Sequence, residues 1–179
     1  MENKTVKLSE IETGKTFIIG DIEFIKFFDE NGETAVVSKD VLFESEFGKD
    51  NDFANSKVFD RLVDEVLTKL EKEIGAENIV EFETDLTTLD GLKPYPEFRS
   101  KISLPTFDFY RKYVNIFDNY KVNRWWWLST PESAKPHYDP IWIVCVSPSG
   151  VNDCNIYILE CGVRPFLRFV SSISVSRVG

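Results

Sequence analysis

Hydrophobic positions alternate weakly over Thr5 to Leu8, and Ile11 to Lys15 then turns the chain into the short apolar run Thr16-Phe17-Ile18-Ile19. Gly20-Asp21 turns it again into Ile22-Glu23-Phe24-Ile25-Lys26-Phe27-Phe28, whose apolar members recur at even positions with Ile25 and Phe27 added. Asn31-Gly32 is a pair suited to a tight hairpin with positive φ, and Thr34 to Ser38 reads as the returning strand. Together these segments predict an antiparallel meander whose acidic turns point into water. Lys39 to Asn55 reads as a long packed connection pinned in the core by Phe43, Phe47 and Phe53.

The clearest helical period runs from Ser56 to about Ile74. Ser56 can cap the first amides, Phe59, Leu62, Val63, Val66, Leu67, Leu70 and Ile74 trace one stripe, and Gly75 can take a left-handed stop. A short strand is expected over Ile79 to Phe82 and a loop over Thr84 to Pro96. Thr106 can cap a second helix that ends before Asn123 and carries Phe109, Tyr110, Tyr113, Ile116 and Phe117 inward. Next comes Arg124-Trp125-Trp126-Trp127-Leu128-Ser129-Thr130-Pro131, with three of the four Trp residues in a row. A strand of period two sends Trp125 and Trp127 to one face and Trp126 to the other, so both faces must be covered or put to use. Such aromatic runs are core parts of a β-rich domain in the first instance. Ile141 to Val146 is a wholly apolar strand, Ser147 to Gly150 a turn, and Val151 to Leu159 its return. Val163 to Phe169 is the last apolar strand, and the polar tail Ser171 to Gly179 either adds an edge strand or frays. The expected fold is α+β, one domain over residues 1–179, with a twisted antiparallel sheet and two main helices.

Trp126-Trp127-Leu128, Thr130-Pro131 and Gly162-Val163-Arg164-Pro165, with Leu167 following, resemble the two motifs of an uncharacterised domain family of Firmicutes and their phages. Its members carry Trp-Trp-Leu-Arg-Ser-Pro and, later, Gly-Val-Arg-Pro-Ala-Leu. Ser129 stands where the family has Arg, and Phe166 where it has Ala. The resemblance is strongest over residues 124–168, with Asn55-Ser56 and Ser103-Leu104-Pro105 also fitting the pattern. It implies a β-rich C-terminal half related to the C-type-lectin-like and formylglycine-generating-enzyme-like folds, with Arg164 beside the Trp segment, and a phage or prophage setting. Arg164, between Gly162-Val163 and Pro165, has a planar guanidinium able to stack on a ring or fork onto carbonyls.

The net charge of −9 divides unevenly: residues 1–100 carry −12 and residues 101–179 carry +3. A first half of that sign does not neutralise phosphates, and suits either a basic partner or simple solubility. Three cysteines, Cys145, Cys154 and Cys161, cannot all pair, and reduced thiols in a cytosol are expected. No apolar leader or span is visible, so the expectation is a soluble, cytoplasmic protein with no membrane role.

Catalytic constellations are scarce. His137 has no companion histidine for a metal or a triad, EF-hand spacing and glycine-rich phosphate loops are absent, and Cys154 and Cys161 match no thiol pair of the distant enzyme relatives. The expectation is a non-enzyme with no cofactor and no metal. Ser133 to Pro140 and Gly150 to Tyr157 are candidate presenting loops, although Asp139 and Asp153 alone are too few carboxylates for Ca²⁺. The specific expectation is an anti-CRISPR protein that blocks a Cas9-type nuclease of the host through Glu44, Glu46, Asp50, Asp52, Glu81, Glu83 and Asp85, around a frame built on Trp125, Trp126, Trp127, Gly162, Arg164 and Pro165. Two alternatives stand beside it. One is a ligand-display module at a cell or virion surface. The other is direct DNA binding through Lys101, Arg111, Lys112, Lys121 and Arg124.

Overall fold

A computed structural model describes residues 5–135, 139–155 and 160–178, with 152–155 known by backbone alone. Fourteen strands are present among them. They are β1 (Thr5–Lys7), β2 (Thr16–Ile19), β3 (Ile22–Glu30), β4 (Glu33–Ser38), β5 (Phe43–Ser45), β6 (Phe82–Thr84), β7 (Phe98–Ser100), β8 (Ile102–Ser103), β9 (Trp126–Pro131), β10 (Trp142–Ser147), β11 (Gly150–Asn155), β12 (Cys161–Val163), β13 (Phe166–Val170) and β14 (Ser174–Arg177). Seven form an antiparallel sheet in the order β1-β14-β2-β3-β4-β13-β8, five form a second in the order β11-β10-β9-β12-β5, and β6 and β7 make a separate ribbon. Among the described residues only the β9 and β12 pair is parallel. The architecture is mixed α+β, and one main helix of 18 residues crosses it.

The β3–β4 hairpin forms as its turn residues dictate: Asn31 (φ 52°) and Gly32 (φ 78°) both take the positive φ of a primed two-residue turn. A bulge between Lys26 and Phe28 then breaks the register with β4. Before it, Ile22 and Phe24 face one core while Ile25 faces the other, and the inserted residue lets Phe27 and Phe28 both face the second. This explains why the strand reads as a nearly continuous apolar run. Lys26 is left buried; its ammonium donates to Leu8 O (3.2 Å) and pairs with Asp29 (2.6 Å), so the charge is not stranded.

Both sheets are covered on both faces. One core joins Phe17, Phe24, Val36, Leu167 and Phe169 of the large sheet with Trp127, Ile143 and Val163 of the smaller, beneath Val58, Leu62, Val66 and Leu70 of the long helix. The other joins Ile25, Val37 and Phe166 with Trp126, Leu128, Val144 and Val146, beneath Tyr110 and Phe117.

The long helix comprises Lys57–Arg61, a wider π turn Leu62–Leu67, and Thr68–Ile74. Ser56 Oγ accepts from Phe59 N (3.0 Å) at its start, and Gly75 leaves its end with φ 85°. Four-residue spacing from Val58 to Leu70 drifts about 40° per step on a 3.6-residue helix. A single wide turn recovers that drift and keeps all four on the sheet.

The second helix is not the one expected. Thr106 caps it, but Tyr113 (φ −114°, ψ 23°) divides it into Phe107–Lys112 and Val114–Asp118. The break places Phe109 and Phe117 each 4.9 Å from the Phe27 ring, while Tyr113 stacks on Phe28 at 5.9 Å. Three further boundaries differ. Lys39 to Asn55 contains β5, the expected Ile79 to Phe82 strand is displaced to β6, and β14 lies between β1 and β2 instead of at an edge. Phe47 and Phe53 are the expected core pegs, but Phe43 is only half-buried, under Arg61.

Trp127 is fully buried and donates from Nε1 to Ser45 O (2.8 Å), whereas Trp125 precedes the strand and is 41 % exposed. Trp127→Ala should therefore destabilise the protein by about 3–5 kcal/mol, and Trp125→Ala should stay within about 0.5 kcal/mol of the parent. Chemical denaturation of the two variants checks this; equal losses would mean that the Trp run is not divided as described.

Candidate functional site

The predicted acidic residues lie in two places. Glu44 is on β5, the edge strand of the smaller sheet, and Glu46, Asp50 and Asp52 follow it; Glu83 is on β6, with Glu81 and Asp85 flanking that strand. Most already have partners within the chain. Glu44 pairs with Arg124, Glu46 with Lys57 (3.3 Å) and Glu81 with Arg99 (3.1 Å). Asp52 is buried and accepts from Ala54 N (3.0 Å) and Asn55 Nδ2 (2.6 Å), which commits it to the turn ahead of the long helix. Asp50 Oδ1 accepts from Asp52 N (3.0 Å). Thr87 donates to Asp85 from its hydroxyl and backbone, holding that carboxyl below its ordinary pKa. Glu83 is exposed and makes no ion pair among the described residues.

The basic set is likewise engaged. Lys101 pairs with Glu71 (3.2 Å), Arg111 with Asp108 (3.0 Å), Lys121 with Asp118 (3.4 Å) and Arg124 with Glu44, while Lys112 lies 5.2 Å from the Tyr113 ring centre. These cations are spread over several elements, and all but Lys112 face local carboxylates, an arrangement distinct from a stripe that tracks a phosphate backbone.

The two sequence motifs meet where the smaller sheet passes into the larger. β12 continues through Arg164-Pro165 into β13, and the backbone locks there through Ser38 N to Pro165 O (3.1 Å) and Gly162 N to Trp125 O (2.7 Å). Gly162 is required for close approach, since a Cβ would lie 2.6 Å from Val41 Cγ2 and 3.1 Å from Trp125 O. Arg164 is 1 % exposed, with its guanidinium carbon 4.8 Å from the Trp126 ring centre and 5.5 Å from that of Phe117. Nε donates to Ser38 O (3.1 Å). Burial lowers its pKa to about 10 against the opposing pull of Asp40 and Tyr110, so it remains charged at neutral pH. Asp40 meets Tyr110 and Phe117 of the aromatic helices here from a distant segment, and no spacing in the sequence announces that meeting.

Asp90 is a further residue without a sequence signal. It accepts from Thr88 and Ser133 (2.8 Å) and pairs with Lys135 (3.0 Å), pinning the 84–96 loop against the segment after β9. Of the expected presenting loops, His137, Tyr138 and Tyr157 lie outside the described residues, as do the side chains of Asp153 and Cys154. Among the described residues no group of three His, Cys, Asp or Glu side chains could hold a metal ion. No helix there is long and apolar enough to cross a membrane. Cys145 is disulfide-bonded, which corrects the expectation of three reduced thiols. Cys161 is a buried free thiol whose pKa is pushed up to about 12, by burial first and the Glu44 charge second.

Two outcomes are expected. Cys161 should resist iodoacetamide at neutral pH in native protein and react once unfolded, read by mass-spectrometric mapping; rapid native labelling would contradict its burial. Asp90 has its pKa lowered from 3.8 to about 2 by its donors, so its contribution is present above 3.8 and is lost as pH falls toward about 2. Asp90→Asn should therefore flatten the acid limb of stability across that window in urea melts, and an unchanged limb would reject the assignment. Compared with protein-family models, curated proteins and solved structures, the chain gives no match.

Proposed function

We propose that this chain is a non-enzymatic, phage- or prophage-encoded binding protein that inhibits a host defence nuclease of the Cas9 type, acting in the host cytoplasm. The observation that carries the reading is the β6–β7 ribbon, whose strands are laddered into neither larger sheet and which, with its flank, presents Glu81, Glu83 and Asp85 as exposed carboxylates on alternate residues. Alternation along a strand directs the three toward one side, where they mimic a short row of phosphates. The −12 charge of residues 1–100 adds a long-range field that steers the ribbon toward a cationic guide-RNA or DNA channel. The Trp and Gly-Val-Arg-Pro motifs support the phage setting and a C-type-lectin-like frame, in which a stable β scaffold presents variable segments.

The test is a pull-down of the purified protein against guide-loaded Cas9, naked duplex DNA and bacterial surface extract, repeated at higher salt. Salt-sensitive capture of the loaded nuclease is expected, and Glu81→Lys with Glu83→Lys should weaken it by about tenfold or more while leaving the melting temperature within a degree or two. Failure to bind Cas9 or any other defence nuclease defeats the proposal. Capture of DNA alone would favour the basic C-terminal half as the contact, and capture from surface extract alone would favour a display module.

A further inference from the structure

We infer that the cavity between β6 and the start of the Phe107–Lys112 helix is a binding site for a small neutral apolar molecule, about the size of one six-membered ring. Its volume is about 170 Å³, and its walls are Phe82 of β6, Phe166 of β13, Leu104, Pro105 and Phe109. The rings are fixed in an edge-to-face series, Phe82 on Phe166 at 5.0 Å and 84° and Phe109 on Phe166 at 5.0 Å and 70°. Phe166 is paired on both sides, with Val37 of β4 and Ser103 of β8, yet it and Phe82 each remain 8 % exposed. An apolar hollow is therefore left where close packing of three rings would otherwise shut it. Apolar cavities of about 150 Å³ accept benzene, whereas drug-sized ligands need about 300 Å³ or more, so this volume admits one ring and little else.

The polar groups lining the cavity select for a neutral ligand, because all but Glu83 are committed or out of reach. Thr106 Oγ1 accepts from Phe109 N (3.1 Å), Asp85 accepts from Thr87 and has the Lys93 charge near it, and Arg168 is held by Glu33 (3.5 Å) and Glu30 (3.6 Å). Thr84 Oγ1 and Arg168 Nε are closed off from solvent, so neither can meet a ligand. A charged molecule would have to leave water for walls that offer it no free partner. Glu83 is the exception, an exposed carboxylate without an ion pair among the described residues, and it is the one group that an ammonium could use. Water in the hollow likewise finds few partners, and an apolar ligand gains by displacing it. The site is separate from the nuclease contact although β6 serves both, and its test contains no nuclease, so either reading can fail alone.

The experiment titrates the full chain, labelled with ¹³C and ¹⁵N, with toluene, and with benzylamine and sodium benzoate as charged molecules carrying the same ring. Saturable shifts in the millimolar range are expected for toluene, with isotope-filtered nuclear Overhauser effects from its protons to the Leu104 methyls and to the Phe82 and Phe166 rings. Benzylamine and benzoate should bind about fivefold more weakly or worse. Thr84 shares the inward face of β6 with Phe82, so Thr84→Leu narrows the hollow and should weaken toluene about tenfold or more while the circular dichroism spectrum stays that of the parent. Should that variant fail to fold, the Overhauser effects in the parent protein still locate the ligand. The inference is overturned if toluene gives no saturable shift, if its Overhauser effects fall on other residues, if benzylamine binds as tightly as toluene, or if folded Thr84→Leu binds toluene like the parent.

Discussion

One buried guanidinium sits where the chain leaves one sheet for the other, and the rest of the fold is arranged so that it can stay there. Arg164 follows Gly162-Val163, and Pro165 hands the backbone on to β13. A charge taken out of water is tolerated only where ring faces and oriented carbonyls replace the solvent. Trp126, Phe117 and Ser38 O supply that replacement. Each comes from a different element, so satisfying this one cation brings together β9, the short aromatic helices and the end of β4. The parallel β9 and β12 pairing, an exception among the otherwise antiparallel pairs of the described residues, lies at the same point. Gly162 lets the two strands approach without a side chain between them and Val41.

Covering both faces of both sheets has a second consequence. A strand buried on two sides cannot show clean alternation, and β3, β9 and β10 accordingly read as near-continuous apolar runs. Their polar exceptions are absorbed: Lys26 by Leu8 O and Asp29, and Trp127 Nε1 by Ser45 O. With the sheet faces closed, chemistry open to a partner is left to edges, ribbons and cavity mouths. Along these margins charges mostly neutralise one another locally, as Glu44 does with Arg124 and Glu46 with Lys57. A strongly acidic composition thus leaves fewer free carboxylates than its net charge implies, and Glu83 on the ribbon makes no ion pair among the described residues, since Arg99 opposite it is drawn to Glu81.

Local signals in the sequence were sufficient for the elements they touch. Asn31-Gly32 determined a primed hairpin because few residue pairs tolerate positive φ in succession. Ser56 and Thr106 determined helix starts because their hydroxyls satisfy amides three residues on. The period from Phe59 to Ile74 determined a helical stripe, of which Leu62, Val66 and Leu70 are buried while Phe59, Val63, Leu67 and Ile74 are only partly so, and the Trp run determined that two cores had to meet on one strand. The mixed α+β class follows from these features. Tertiary structure alone decided the break at Tyr113, because three rings competing for Phe27 and Phe28 outweigh the propensity of one segment to continue as helix. It also decided that the C-terminal tail lies inside the sheet, since pairing partners distant in sequence leave no local period. The carboxylates could be listed from the sequence but not sorted into caps, ion pairs and free groups, because that depends on which cation the fold delivers. The cavity beside β6 was equally invisible: Phe82, Leu104, Phe109 and Phe166 each read as core, but a hollow left between them is a property of everything packed around it.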